Sequence, residues 1–188
     1  MKLRVIFLSL LLLAGSAFAQ RKGHDPLNDV EADKLRDTAM LPNKRLKLYV
    51  EFAQARMTQI DQLLGDPKAK DRGAQLHDLL ADFSTLVDEI GDNVETFHSQ
   101  HWDIRKSLKL VIEGDSEFQL ELRKLSQAAN SNDPDTDQFK FALKDAIESV
   151  NANADDTRHV VQEQNALAKD QKLQKEEAPP AQPKAQPK

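Results

Sequence analysis

Residues 76–129 read LHDLLADFSTLVDEIGDNVETFHSQHWDIRKSLKLVIEGDSEFQLELRKLSQAA, and a single apolar seam runs through them. It passes along Leu76, Leu80, Phe83, Val87, Ile90, Val94 and Phe97, crosses His101, and continues along Ile104, Leu108, Val111, Asp115, Phe118, Leu122, Leu125 and Ala129. Alternating steps of four and three residues keep side chains on one face of an α-helix. A strand would need a period of two, which the stretch never shows. Only His101 and Asp115 interrupt the seam with polar groups.

Two arrangements satisfy this pattern. An unbroken helix over about 72–130 would run nearly 90 Å and would form an elongated three-helix, coiled-coil-like structure. A turn at His98–Trp102 instead gives segments 42–65, 70–97, 103–129 and the start of 135–170, with Asp103 available as an N-cap. Such comparable lengths are what an up-down-up-down bundle requires. The expected fold class is therefore all-α: an antiparallel four-helix bundle, with a short N-terminal helix and a disordered C-terminal tail. The continuous helix is its alternative.

The flanking segments support a helical reading. Pro42 suits the first turn of a helix whose stripe is Leu46, Tyr49, Val50, Ala53, Met57, Ile60 and Leu64, ended by Gly65-Asp66-Pro67. Before it, Leu27, Val30 and Leu35 are the apolar contacts expected of a short helical arm, with Asp29, Glu31 and Asp33 near its positive end. After the turn Asn130–Asp135, a last helix carries Phe139, Leu143, Ala146, Val150, Asn153, Thr157, Val160, Gln164 and Leu167 on its seam. Asn153, Thr157 and Gln164 make its later part wetter, so that part is expected to project into solvent or fray. From Glu176 the composition, EEAPPAQPKAQPK, favours extended polyproline II segments over a packed core.

Residues 1–19 have the layout of a cleavable signal peptide: basic Lys2 and Arg4, an apolar run from Val5 to Ala14, and Ala17-Phe18-Ala19 before the expected cleavage point. The organisation expected is signal peptide 1–19, leader and helical arm 20–41, bundle 42–172 and tail 173–188. A periplasmic or secreted location follows, with no integral membrane segment once the leader is removed. Loss of Lys2 and Arg4 leaves 24 basic residues against 31 acidic ones, a net charge near −7. That acidity argues against nucleic acid as a partner. With no cysteine, stability must come from the apolar core alone.

Candidate chemistry is sparse. Glu95-Thr96-Phe97-His98 has the Glu-x-x-His spacing used by metal sites in helical bundles, and Asp156-Thr157-Arg158-His159 is a looser version. In a four-helix bundle both lie at one end, near His101, so Glu95, His98, His101, Asp156 and His159 are the metal-ligand candidates. Glu95 and His98 flank the seam, however, which turns them outward, and the helix from Pro42 adds no seam carboxylate. The expectation is accordingly no metal and no cofactor. Asp115 either pairs with a base, lies at an open edge, or is a buried acid that specifies register or marks a ligand pocket. Trp102, Arg105 and Lys106 form a possible interaction surface, with Trp102 alternatively closing the end of the core. No phosphate loop, nucleophile elbow or His-Glu-x-x-His motif is present in the sequence.

The function expected is that of an exported, non-enzymatic helical protein acting as an interaction or scaffold module in the cell envelope, with an unspecified protein partner. The alternatives are a ligand- or metal-binding sensor using the histidines, and an extracytoplasmic chaperone. Monomer and homodimer are both compatible with the pattern.

Overall fold

The computed structural model describes residues 25–129 and 134–177. The expected signal peptide, the leader up to residue 24 and the tail from residue 178 lie outside the described residues. Within them the chain is an all-α helical bundle of five helices: α1 (Asp29–Asp37), α2 (Pro42–Gly65), α3 (Arg72–Ser99), α4 (Arg105–Ala128) and α5 (Pro134–Glu177). The seam is thus divided between two helices, and the continuous helix over 72–130 does not form.

Local chemistry accounts for the ends. Asn28 caps α1 through a reciprocal pair, its Oδ1 accepting from the Glu31 N–H and the Glu31 carboxylate accepting from the Asn28 N–H, each at 3.0 Å. Pro42 occupies the first turn of α2, and Pro134 opens α5. Helix α5 is 44 residues long, about 66 Å, against 28 residues and about 42 Å for α3. It therefore outruns its neighbours and continues past residue 172, so residues 173–177, expected in the tail, are helical.

The break in the seam is set by backbone geometry rather than by glycine or proline. His101 adopts φ 61, in the left-handed region. The Trp102 N–H then donates to the Phe97 carbonyl at 3.0 Å, and the His101 N–H to the His98 carbonyl at 2.9 Å. These two bonds are the Schellman pattern that closes a helix C-terminus. Asp103 is not the cap of α4; Ile104 holds that position, and the Asp103 carboxylate is engaged by the guanidinium of Arg105 at 2.7 and 2.9 Å. From the far side of the bundle, Gln164 clasps the turn. Its Nε2 donates to the Trp102 carbonyl at 2.8 Å and its Oε1 accepts from the Ile104 N–H at 3.2 Å.

Helix α3 packs against α2 and α5, α4 packs against the same two, and α1 lies on α2. Every apolar seam residue from Leu76 to Leu125 is buried, while His101 is exposed. Phe83 and Phe118 meet edge-to-face at the centre, with ring centroids 5.1 Å apart, joining α3 to α4. On α1, Leu35 is buried but Val30 is 63% exposed, so it is not the contact expected of it. What holds the arm instead is Arg56, buried on α2, whose guanidinium grips Glu31 at 2.6 and 3.0 Å and also donates to the Pro26 carbonyl. Burial opposes the Glu31 charge, but the bonds from Arg56 and the Asn28 N–H outweigh it and hold this carboxyl below its usual value.

The wet half of α5 is also buried. Asn153, Thr157 and Gln164 are 5%, 1% and 7% exposed, facing the interior rather than solvent. Leu167, beyond them, is half-exposed.

Candidate functional site

Helix periodicity on two neighbouring helices builds a groove. On α3, Asp88, Asp92 and Glu95 are spaced i, i+4, i+7, which stacks them on one face. On α5, Asp156, His159 and Glu163 are spaced i, i+3, i+7 and stack likewise. The two faces border a groove of about 530 Å³, which His98 also lines. Its carboxylates are exposed, and none of the ion pairs among the described residues engages Asp88, Asp92, Glu95 or Asp156.

The floor is polar as well as buried. Asn153 and Thr157 line the groove. The Asn153 amide donates from Nδ2 to Asp115 Oδ1 at 2.8 Å, which leaves its own Oδ1 as an acceptor. Asn153 Oδ1, Thr157 Oγ1 and Asp115 Oδ2 are all buried without a hydrogen-bond partner. Gly91 lies beside the first of them: a Cβ at that position would lie 3.2 Å from Asn153 Oδ1. Asp115 itself is 1% exposed. Burial pushes its carboxyl up to about 6, against the opposing pull of the Asn153 hydrogen bond and the Arg158 charge. Asp115 is thus neither at an open edge nor hydrogen-bonded to a base, and its one side-chain partner is Asn153.

Four of the five metal-ligand candidates, Glu95, His98, Asp156 and His159, line this one groove. The fifth, His101, does not; it borders a depression of about 240 Å³ together with Trp102, Arg105 and Gln164, and His98 lines both. Among the described residues, no group of three or more His, Cys, Asp or Glu side chains is disposed to hold a metal ion. Two of the histidines approach Glu163, which lines the same groove. His98 Nε2 lies 2.8 Å from Glu163 Oε2, and His159 Nδ1 lies 3.8 Å from the other oxygen of the same carboxylate. His98 Nδ1 faces Gln164 Nε2 at 3.5 Å. Glu163 and the unpartnered polar atoms were not singled out from the sequence. The i, i+3, i+7 spacing of Asp156, His159 and Glu163 carried the signal for the first, and the polar seam positions of α5 carried it for the second.

The other candidate surface is less concentrated. Trp102 is 41% exposed, its Nε1 donating to Gln100 Oε1 at 3.1 Å. Arg105 is tied to Asp103, which leaves Lys106 as the exposed base beside the turn.

Comparison with protein-family models, with curated proteins and with solved structures finds no match to this chain. The groove's own chemistry is that of acidic walls, which attract cations, above a buried floor with unpartnered polar atoms.

Proposed function

We propose that this protein is an exported, non-enzymatic helical module of the cell envelope that works by binding, and that the groove between α3 and α5 is its working surface. The observation that carries the reading is the pair of unpartnered polar atoms, Asn153 Oδ1 and the Thr157 hydroxyl Oγ1, on residues of the groove floor. A buried polar atom without a partner costs about 1–3 kcal/mol, and a ligand that donates to it recovers that loss. The architecture is taken as an antiparallel four-helix bundle of α2 to α5. The pairing of α3 and α4 with both α2 and α5 supports it, as do the short connections between successive helices. Export rests on the signal-like residues 1–19, and among the described residues no helix is long and apolar enough to cross a membrane. The groove supports the ligand-binding half of the histidine-based alternative rather than its metal-binding half.

The test has two arms. Expression of the full chain with fractionation and mass spectrometry is expected to recover a product beginning at Gln20 outside the cytoplasm. The mature chain is then screened by thermal shift against cationic, anionic and neutral small molecules, in parallel with Gly91→Ala, which places a Cβ beside Asn153 Oδ1 while keeping every charge. Compounds that stabilise the natural protein and fail to stabilise the variant support the reading. Retention of the whole chain in the cytoplasm refutes export, and equal stabilisation of both proteins by every active compound refutes the groove.

A further inference from the structure

We infer that the ligand of the α3–α5 groove is a linear aliphatic polyamine, a molecule of two or more protonated amines joined by methylene stems. The inference rests on the groove being the working surface and specifies the chemistry it takes. The floor supplies unpaired polar atoms that can accept: Asn153 Oδ1 and the hydroxyl Oγ1 of Thr157, on residues 5% and 1% exposed, have no hydrogen-bond partner. An ammonium group carries three N–H donors and no acceptor, which matches Asn153 Oδ1 and the lone pairs of the Thr157 hydroxyl, whereas an anion would be repelled by the carboxylates along the walls.

The walls supply charge in rows rather than at a point. Asp88, Asp92 and Glu95 extend along about 10 Å of α3, and Asp156 and Glu163 along about 10 Å of α5 facing them. One small cation would leave most of these carboxylates unmatched, whereas a linear polyamine places a second charge further along the rows. Between the charges, Val87, Val94 and Val160 line the same groove and suit methylene stems. A bare metal ion has no use for those apolar contacts, and the described carboxylates and histidines make no cluster for it.

The experiment is calorimetric titration of the mature chain with spermidine and with 1,4-diaminobutane, at neutral pH and about 0.15 M salt to screen loose surface charge. Mg²⁺ and a lysine-containing peptide are run beside them. Saturable one-to-one binding of spermidine is expected, weakened roughly ten-fold or more by Thr157→Val and by Gly91→Ala, since each denies a charged donor its acceptor. Asp92→Asn and Asp156→Asn should each weaken binding and reduce its salt dependence. Circular dichroism checks that every variant is folded. The inference is overturned if spermidine gives no saturable heat, if Mg²⁺ competes equally, or if Thr157→Val and Gly91→Ala bind unchanged. Tighter binding of the lysine peptide than of either free amine overturns the small-molecule source. Should spermidine fail while another compound's thermal shift is lost in Gly91→Ala, the amine is refuted and the groove stands; if no compound depends on Gly91, both fall.

Discussion

Replacing Asp115 by asparagine should make this protein more stable at neutral pH and leave it nearly unchanged in acid. Asp115 has a single hydrogen bond, from Asn153, while its second oxygen is buried without a partner. Its carboxyl titrates at about 6 in the folded chain, against 3.8 for an ordinary aspartate. The folded state therefore favours the protonated form. The penalty for carrying the charge is absent below pH 4, grows between 4 and 6, and is complete above 6. A gap of about two pK units at about 1.36 kcal/mol each puts its full size near 3 kcal/mol. That is a large share of a typical folding stability of about 5–15 kcal/mol. Asparagine keeps the shape and the acceptor for Asn153 Nδ2 but carries no charge. Urea denaturation of the mature chain and of Asp115→Asn, from pH 4 to pH 8, measures the difference directly. Glu31, which titrates in acid with the opposite sign, is common to both proteins and cancels. The expected curve rises from about zero near pH 4 to as much as about 3 kcal/mol in favour of the variant above pH 6.5. A difference that does not change with pH, or a variant less stable than the natural chain at pH 7.5, would refute the assignment of a strained, charged Asp115.

Three further outcomes follow from named contacts. Arg56→Met leaves the buried Glu31 carboxylate unpaired, a loss of about 3–5 kcal/mol in general; because α1 packs on α2, the loss should appear as undocking of α1. Hydrogen exchange should then show fast amides over 30–37 with protection retained over 80–90, and continued protection of the arm would contradict the prediction. His101→Gly should stabilise the chain by about 1 kcal/mol, since the left-handed φ of 61 is strained for a β-carbon and the side chain is exposed; a lower urea midpoint would show that the imidazole holds the turn. Gly73→Ala should destabilise by about 1–2 kcal/mol despite alanine's better helix propensity. Its Cβ would fall 2.8 Å from the Asp135 carbonyl oxygen and 2.9 Å from its Cα, main-chain atoms that cannot swing aside. A drop of several degrees in Tm is expected, and an unchanged Tm would mean that α3 and α5 can separate freely there.

Much of the bundle's interior was legible from spacing. The run Leu76, Leu80, Phe83, Val87, Ile90, Val94, Phe97 is buried as its period requires, and α2 begins at Pro42 and ends at Gly65 where the sequence punctuates. Leu64 and Leu167 show the limit of that reasoning: both lie in phase, yet 40% and 50% of their surface is exposed, because they sit where no neighbouring helix covers them. The polar seam of α5 misled in the other direction. Asn153 and Gln164 looked like signs of solvent, but one meets Asp115 across 38 residues and the other clasps a turn more than 60 residues away. Of the candidate site, Glu95, His98, Asp156 and His159 were visible as motifs; the floor they surround was not.

The sequence by itself determined that this chain is helical and that the apolar faces of α3 and α4 are buried, because those properties depend on residues within a turn or two of one another. The tertiary structure decided the rest. It settled that the seam breaks between Ser99 and Arg105, where a left-handed His101 and the side chain of Gln164 together end one helix and position the next. It also decided that Arg56 meets Glu31 and that Gly91 lies over Asn153. The physical reason is the same in each case: a polar side chain on a buried face must be satisfied by whatever the fold brings to it, and no periodicity names that partner.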